Sequence, residues 1–76
     1  MTRDEHLEWA KRRALEYLDA MFPPNPAQAF TSMLSDLSKH PELKEHIGCQ
    51  IGVGFMMLPG WITNIPEVRR WIVGFN

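Results

Sequence analysis

Cysteine is almost missing from this chain. Cys49 is the single one in 76 residues, so no disulfide can close within the chain and the core has to hold without that staple. A lone thiol fits a reducing compartment. Neither sign of charge dominates: eight Lys and Arg stand against nine Asp and Glu, for a formal net charge of −1. That balance excludes a basic nucleic-acid arm and an acidic tail. Long apolar runs are lacking too. The most apolar stretch, Ile47 to Trp61, contains Gln50 and ends at Pro59-Gly60, and at about 15 residues it falls short of the roughly 20 that span a bilayer. Residues Thr2 to His6 carry both charges with no apolar run behind them, so no signal peptide is expected. The chain reads as cytoplasmic, with no membrane partner. Internal repeats and low-complexity tracts are absent.

Motifs of chemistry are lacking as well. No His-x-x-x-His or His-Glu-x-x-His pair is present, no Gly-x-Ser-x-Gly and no phosphate loop. Glu42, His46 and Cys49 could at most offer three zinc ligands, and a site needs three or four converging. The plainer reading makes His46 a helix-surface residue and Cys49 a small core hydrophobe. Burial within an apolar stretch would raise the Cys49 pKa and leave the thiol inert. No catalytic residue, metal or cofactor is expected, and the chain is not read as an enzyme.

What is present is four helical patterns. Thr2 and Glu5 form a capping box, and Leu7, Ala10, Ala14, Tyr17, Leu18 and Met21 recur at helical spacing to about Phe22. Glu8, Arg12 and Glu16 make an exposed row of i,i+4 pairs. Asn25 and Pro26 open a second helix, which should run to His40. A third is expected from Pro41 to Leu58, with Leu43, Ile47, Ile51, Gly54 or Phe55, and Leu58 as its inner stripe. Asn64, with Glu67 as its box partner, opens a fourth, and Gly74 stands where a C-terminal cap glycine belongs. No segment alternates with period two. The expected fold is all-α, a compact bundle of four helices joined by short Pro/Gly/Asn loops, with residues 1–76 as a single helical domain.

The third helix is unusual. Gly48, Gly52 and Gly54 each cost up to about 1 kcal/mol against alanine. Gly48 and Gly52 share one face, which points to helix packing by close approach of another backbone. With apolar residues almost all round, this helix should be central or half-covered by a partner. Below roughly 80 residues a single core rarely supplies more than about 3–5 kcal/mol, so self-association into a homo-oligomer is expected.

Three tryptophans and a methionine pair suggest an interface. Trp9, Trp61 and Trp71, with Met56 and Met57, are candidate apolar anchors for a protein partner. The competing reading places the same residues in the core. Lys11, Arg12, Arg69 and Arg70 would steer the encounter. The clusters Lys11-Arg12-Arg13 and Arg69-Arg70 could instead contact phosphates. Against that, the first helix also carries Asp4, Glu5, Glu8, Glu16 and Asp19, so nucleic acid is the lesser expectation.

The strings Thr2–Ala10, Arg13–Asp19, Ser32–Pro41 and Val68–Asn76 together resemble a family of short proteins encoded by tailed bacteriophages and prophages. The likeness covers nearly the whole chain, while Pro23–Pro26 and Leu58–Trp61 are richer in proline and tryptophan than that family. The resemblance brings no active site. It implies a small accessory protein of host takeover or anti-defence, acting inside an infected bacterium by blocking a bacterial protein through steric occlusion. A small nucleic-acid-binding regulator and a virion or assembly component are the alternatives.

Overall fold

A computed structural model describes residues 2–76, and these are all-α. Helix α1 spans Arg3–Asp19, α2 Pro26–Leu37, α3 Ile47–Met56 and α4 Ile65–Gly74, with a short 3-10 turn at Trp61–Thr63. The start signals operate as expected. Thr2 and Glu5 close the capping box on α1, and Asn25 and Asn64 accept from Gln28 and Glu67 backbone N–H groups to start α2 and α4.

Helices α1 and α2 form an antiparallel hairpin. The start of α1 meets the end of α2, where His6 Nε2 donates to the Asp36 carbonyl at 2.7 Å. At the other end the Asn25 N–H donates to Tyr17 O at 2.8 Å. Leu7, Ala10, Ala14 and Leu18 face Ala29, Phe30, Met33 and Leu37, and all eight are buried. Alanines on α1 let the helices approach closely, while the larger α2 residues fill the space between. Each fully buried side chain such as Phe30, Met33 or Leu37 contributes about 1.5–3 kcal/mol. Helix α4 lies across this hairpin and buries Val68, Trp71 and Ile72 on it.

One buried charge ties the hairpin together. Asp36 is 1% exposed. Arg13 Nε lies 3.0 Å from its Oδ2, a charge contact whose N–H is not aimed as a hydrogen bond. Lys39 donates to the other oxygen at 3.4 Å.

Several expectations are corrected. Helix α1 stops at Asp19 and α2 at Leu37, each three residues early. Among the described residues, Glu8–Arg12 and Arg12–Glu16 are not ion pairs. Glu67 pairs with Arg70 at 3.1 Å instead of completing a capping box. Gly74 is helical, and the left-handed glycine is Gly60, with φ 81°, in the turn before Trp61.

The largest correction concerns the third helix. It begins at Ile47 rather than Pro41. Residues 41–45 form hydrogen-bonded turns that plug Leu43 into the core, and His46 becomes the cap, its Nδ1 accepting from Gly48 N–H at 2.8 Å. This break lets α3 turn independently of Leu43. Its glycine face points inward, and the expected inner stripe points out: Ile47 is 65% exposed, Ile51 48% and Leu58 53%. Helix α3 is therefore peripheral, not central, and Gly52 is its one buried residue. The reason is steric. A Cβ on Gly52 would stand 2.8 Å from two atoms of the Trp71 indole, and one on Gly48 would stand 2.5 Å from the Phe75 ring. The close approach is made by aromatic rings, not by another backbone.

Total exposure remains ordinary. The accessible surface is 4789 Å², and a folded monomer of this mass exposes about 4,800 Å². The apolar surface on α3 is thus a matter of where it lies, not of how much surface the chain leaves open.

Candidate functional site

Aromatic packing positions the α3 region. Trp71 Nε1 donates to Gly48 O at 3.1 Å, so α4 holds α3 by one polar bond as well as by ring contact. Phe30 meets the Trp71 ring at 4.8 Å between centroids and meets Trp61 edge-on at 5.4 Å. Phe55 stacks on Trp61 at 5.3 Å. Such contacts favour the offset and edge geometries seen here. The C-terminal residues close one end. Phe75 packs on His46, and the Asn76 backbone O accepts from His46 Nε2 at 2.7 Å and from Arg3 at 2.8 Å.

Between α3 and α4 lies an open groove of about 460 Å³. Ile47, Ile51 and Phe55 form one wall, and Trp71 and Phe75 the floor. The Glu67–Arg70 pair marks the polar rim. Beyond the groove the apolar surface continues over the outside of α3 through Val53, Met56, Met57 and Leu58, and Val73 of α4 is exposed as well. Met57 is 79% exposed. From His46 to Pro66 the chain holds no Asp, Glu, Lys or Arg. Large side chains exposed together without charge mark an interaction surface in soluble proteins.

The anchors expected from sequence divide accordingly. Met56 and Met57 lie on this surface. Trp61 and Trp71 do not: at 7% and 8% exposure they belong to the core, and that placement corrects their reading as partner anchors. Trp9 is half-buried, away from α3, with the Arg13 guanidinium 4.9 Å above its ring and His6 beside it. Ile47, Ile51, Val53, Leu58 and Val73 are surface residues that sequence reasoning missed. The signal was present in the glycines, since a helix with a glycine face and an isoleucine face turns the glycines toward any neighbour with bulky rings.

The basic residues do not gather into one patch. Lys11 donates to Val73 O at 3.2 Å and Phe75 O at 3.0 Å, satisfying carbonyls at the end of α4. Arg69 grips Asp19 through both guanidinium nitrogens, with Nη1 3.0 Å from Oδ2. That hydrogen bonding lowers the Asp19 pKa and raises that of Arg69. Arg70 is held by Glu67, and Arg12 makes no ion pair among the described residues.

No match is found among protein-family models, curated proteins or solved structures.

The remaining chemistry is sparse. Among the described residues no three His, Cys, Asp or Glu side chains converge to hold a metal. Glu42 lies in the turn ahead of α3, and both ring nitrogens of His46 are occupied by backbone hydrogen bonds. Cys49 is half-buried with Sγ 3.7 Å from Leu43 O, and burial pushes its pKa up. No helix is long and apolar enough to cross a membrane among the described residues. A second exposed apolar group stands at the α1–α2 loop, where Phe22 is 99% exposed beside Met21.

Proposed function

We propose that this chain acts by binding rather than catalysis, as a small interaction protein whose docking surface is the uncharged outer face of α3 with Val73 of α4. One observation carries the reading: Ile47, Ile51, Val53, Met56, Met57 and Leu58 are exposed together on a stretch with no formal charge. Burying such a face on another protein is favourable by roughly 25 cal/mol per Å² before association costs. The likeness to phage and prophage proteins directs this surface toward a bacterial host or defence protein, blocked by steric occlusion. The basic side chains support a phosphate-binding reading poorly, because Lys11, Arg13, Arg69 and Arg70 are engaged within the fold.

The test is capture from bacterial lysate with the tagged chain, run beside Ile51→Asp and Met57→Asp. The wild type should retain a specific protein that both variants lose, while a Gln28→Ala control, at an exposed position on α2, retains it. Equal capture by wild type and Ile51→Asp, with circular dichroism showing both folded, would remove α3 as the docking surface.

A further inference from the structure

We propose that the outer face of α3 pairs with the same face of a second copy, as an antiparallel two-fold helix pair centred between Gly52 and Val53. The inference rests on reading α3 as an interface and names its occupant.

Helix geometry supplies the first argument. At about 100° per residue, Ile47, Ile51 and Gly54 fall within roughly 60° of one another, turned about 100–160° away from the buried Gly52, and Leu58 follows in the turn just past the helix end. Their spacing of four, three and four residues is that of a helix-packing seam. A two-fold interface must be self-complementary, and this seam is. Run antiparallel about that centre, Ile47 meets the partner's Leu58, and Ile51 sits over the partner's Gly54. The bulky residue of the middle pair thus meets the residue with no side chain.

Gly54 supplies a second, independent argument. A Cβ placed there would meet nothing within 4 Å, and its backbone is helical with φ negative. Neither crowding nor backbone conformation within one copy calls for glycine, although glycine weakens a helix. Gly48 and Gly52 are explained by Phe75 and Trp71; Gly54 is explained by a knob from outside.

Charge and area agree. Along α3 itself the two copies oppose no like charges, since the stretch from His46 to Pro66 has none. Taking on the order of 200 Å² for a large apolar residue, the size an aromatic side chain buries, the exposed apolar residues around α3 and its flank together with Val73 offer about 800 Å². Specific complexes bury about 800 Å² per partner. Covering the half to two-thirds of the face nearest the seam gives about 800–1,100 Å² in total, the size of a weak, transient interface. Lipid is the poorer occupant, because interfacial helices carry Lys and Arg on their polar face, whereas the inner face of α3 is glycine against aromatic rings.

The experiment is sedimentation equilibrium of the full chain from about 5 to about 500 µM, a range wide enough to detect a weak, transient interface. The mass should rise from 8.8 kDa to twice that. Ile51→Asp should weaken pairing at least 30-fold. Gly54→Leu is the discriminating variant: it faces open space, so the fold survives, and it adds apolar surface, so general stickiness would tighten association. The seam requires at least a tenfold weakening instead, with the helical circular dichroism retained. A monomer throughout the range, pairing unaffected by Ile51→Asp, or Gly54→Leu pairing as tightly as wild type each overturns the proposal. So does a monomer that instead floats with phosphatidylcholine–phosphatidylglycerol vesicles. If the chain stays monomeric while lysate capture still depends on Ile51, self-pairing fails and the docking reading stands. If it dimerises as described while capture ignores Ile51, the docking reading fails and the dimer stands.

Discussion

Replacing Gly52 and Gly54 separately by alanine should move stability in opposite directions. The two residues sit two apart on one helix and share the same intrinsic penalty. Relieving it is worth up to about 1 kcal/mol in either case. At Gly54 nothing stands within 4 Å of the added carbon, so the whole gain is realised. At Gly52 the carbon would lie 2.8 Å from Cε2 and Cζ2 of Trp71 and 2.9 Å from its Nε1. That indole cannot swing away, being wedged against Phe30 and Trp61. Overpacking of this kind costs about 1–3 kcal/mol. Lifting α3 to relieve it would lose the Trp71–Gly48 hydrogen bond, worth about 1 kcal/mol. The net expectation for Gly52→Ala is a loss of about 1–2 kcal/mol after the propensity gain. In a domain this small, 1 kcal/mol moves Tm by about 4–8 °C. Gly54→Ala should therefore melt several degrees above wild type and Gly52→Ala several degrees below. Thermal and urea denaturation followed by circular dichroism at about 5 µM, the low end of the sedimentation range, measures both. A Gly52→Ala variant as stable as wild type, or less harmed than Gly54→Ala, would refute the inward placement of the glycine face.

Three further outcomes follow from the same structure. Arg13→Ala leaves the buried Asp36 carboxylate with only Lys39 and should cost about 2 kcal/mol in urea unfolding, below the range for fully buried pairs because Arg13 is half-exposed; no change would mean that Asp36 is hydrated. Cys49 should react slowly with a thiol reagent at neutral pH and speed up only as pH rises beyond the ordinary thiol range, because burial raises its pKa; rapid labelling at pH 7 in the folded protein contradicts this. Asp19 has a lowered pKa through its bond to Arg69, so its stabilising contribution is present above the unfolded carboxyl pKa and is lost as pH falls through the folded value. Asp19→Asn should flatten that part of the acid limb of stability against pH, and an unchanged limb would show the pair to be inert.

The cap residues that open α1, α2 and α4 are read correctly because their cause is local. Thr2 with Glu5, Asn25 with Pro26, and Asn64 each cap a helix because the acceptor side chain lies within three residues of the donor it satisfies. The four-helix, all-α character follows from those caps and from apolar spacing. Helix ends are less legible, since the last turns at Ala20–Phe22 and Ser38–His40 depend on what they pack against. The stripe of Leu43, Ile47, Ile51, Gly54 or Phe55, and Leu58 was visible as a stripe, although Leu43 alone of it is buried, and Met56 and Met57 were visible as candidate contacts.

Which way that stripe points is another matter. Periodicity says that a helix has an apolar side but says nothing of a helix with two. Helix α3 has an isoleucine side and a glycine side, and only the position of Trp71 and Phe75, 19 residues beyond Gly52 and 27 beyond Gly48, chooses between them. Rings that must be buried need a groove, glycine provides one, and the isoleucines are turned to solvent as a result. The same long-range choice placed Trp61 and Trp71 inside rather than on a binding surface, and tied Lys11, Arg13 and Arg69 to partners that lie 23 to 64 positions away. Composition and spacing thus establish a small, nearly neutral helical protein. Side-chain volume, settled only when the helices meet, decides which of its faces a partner can reach.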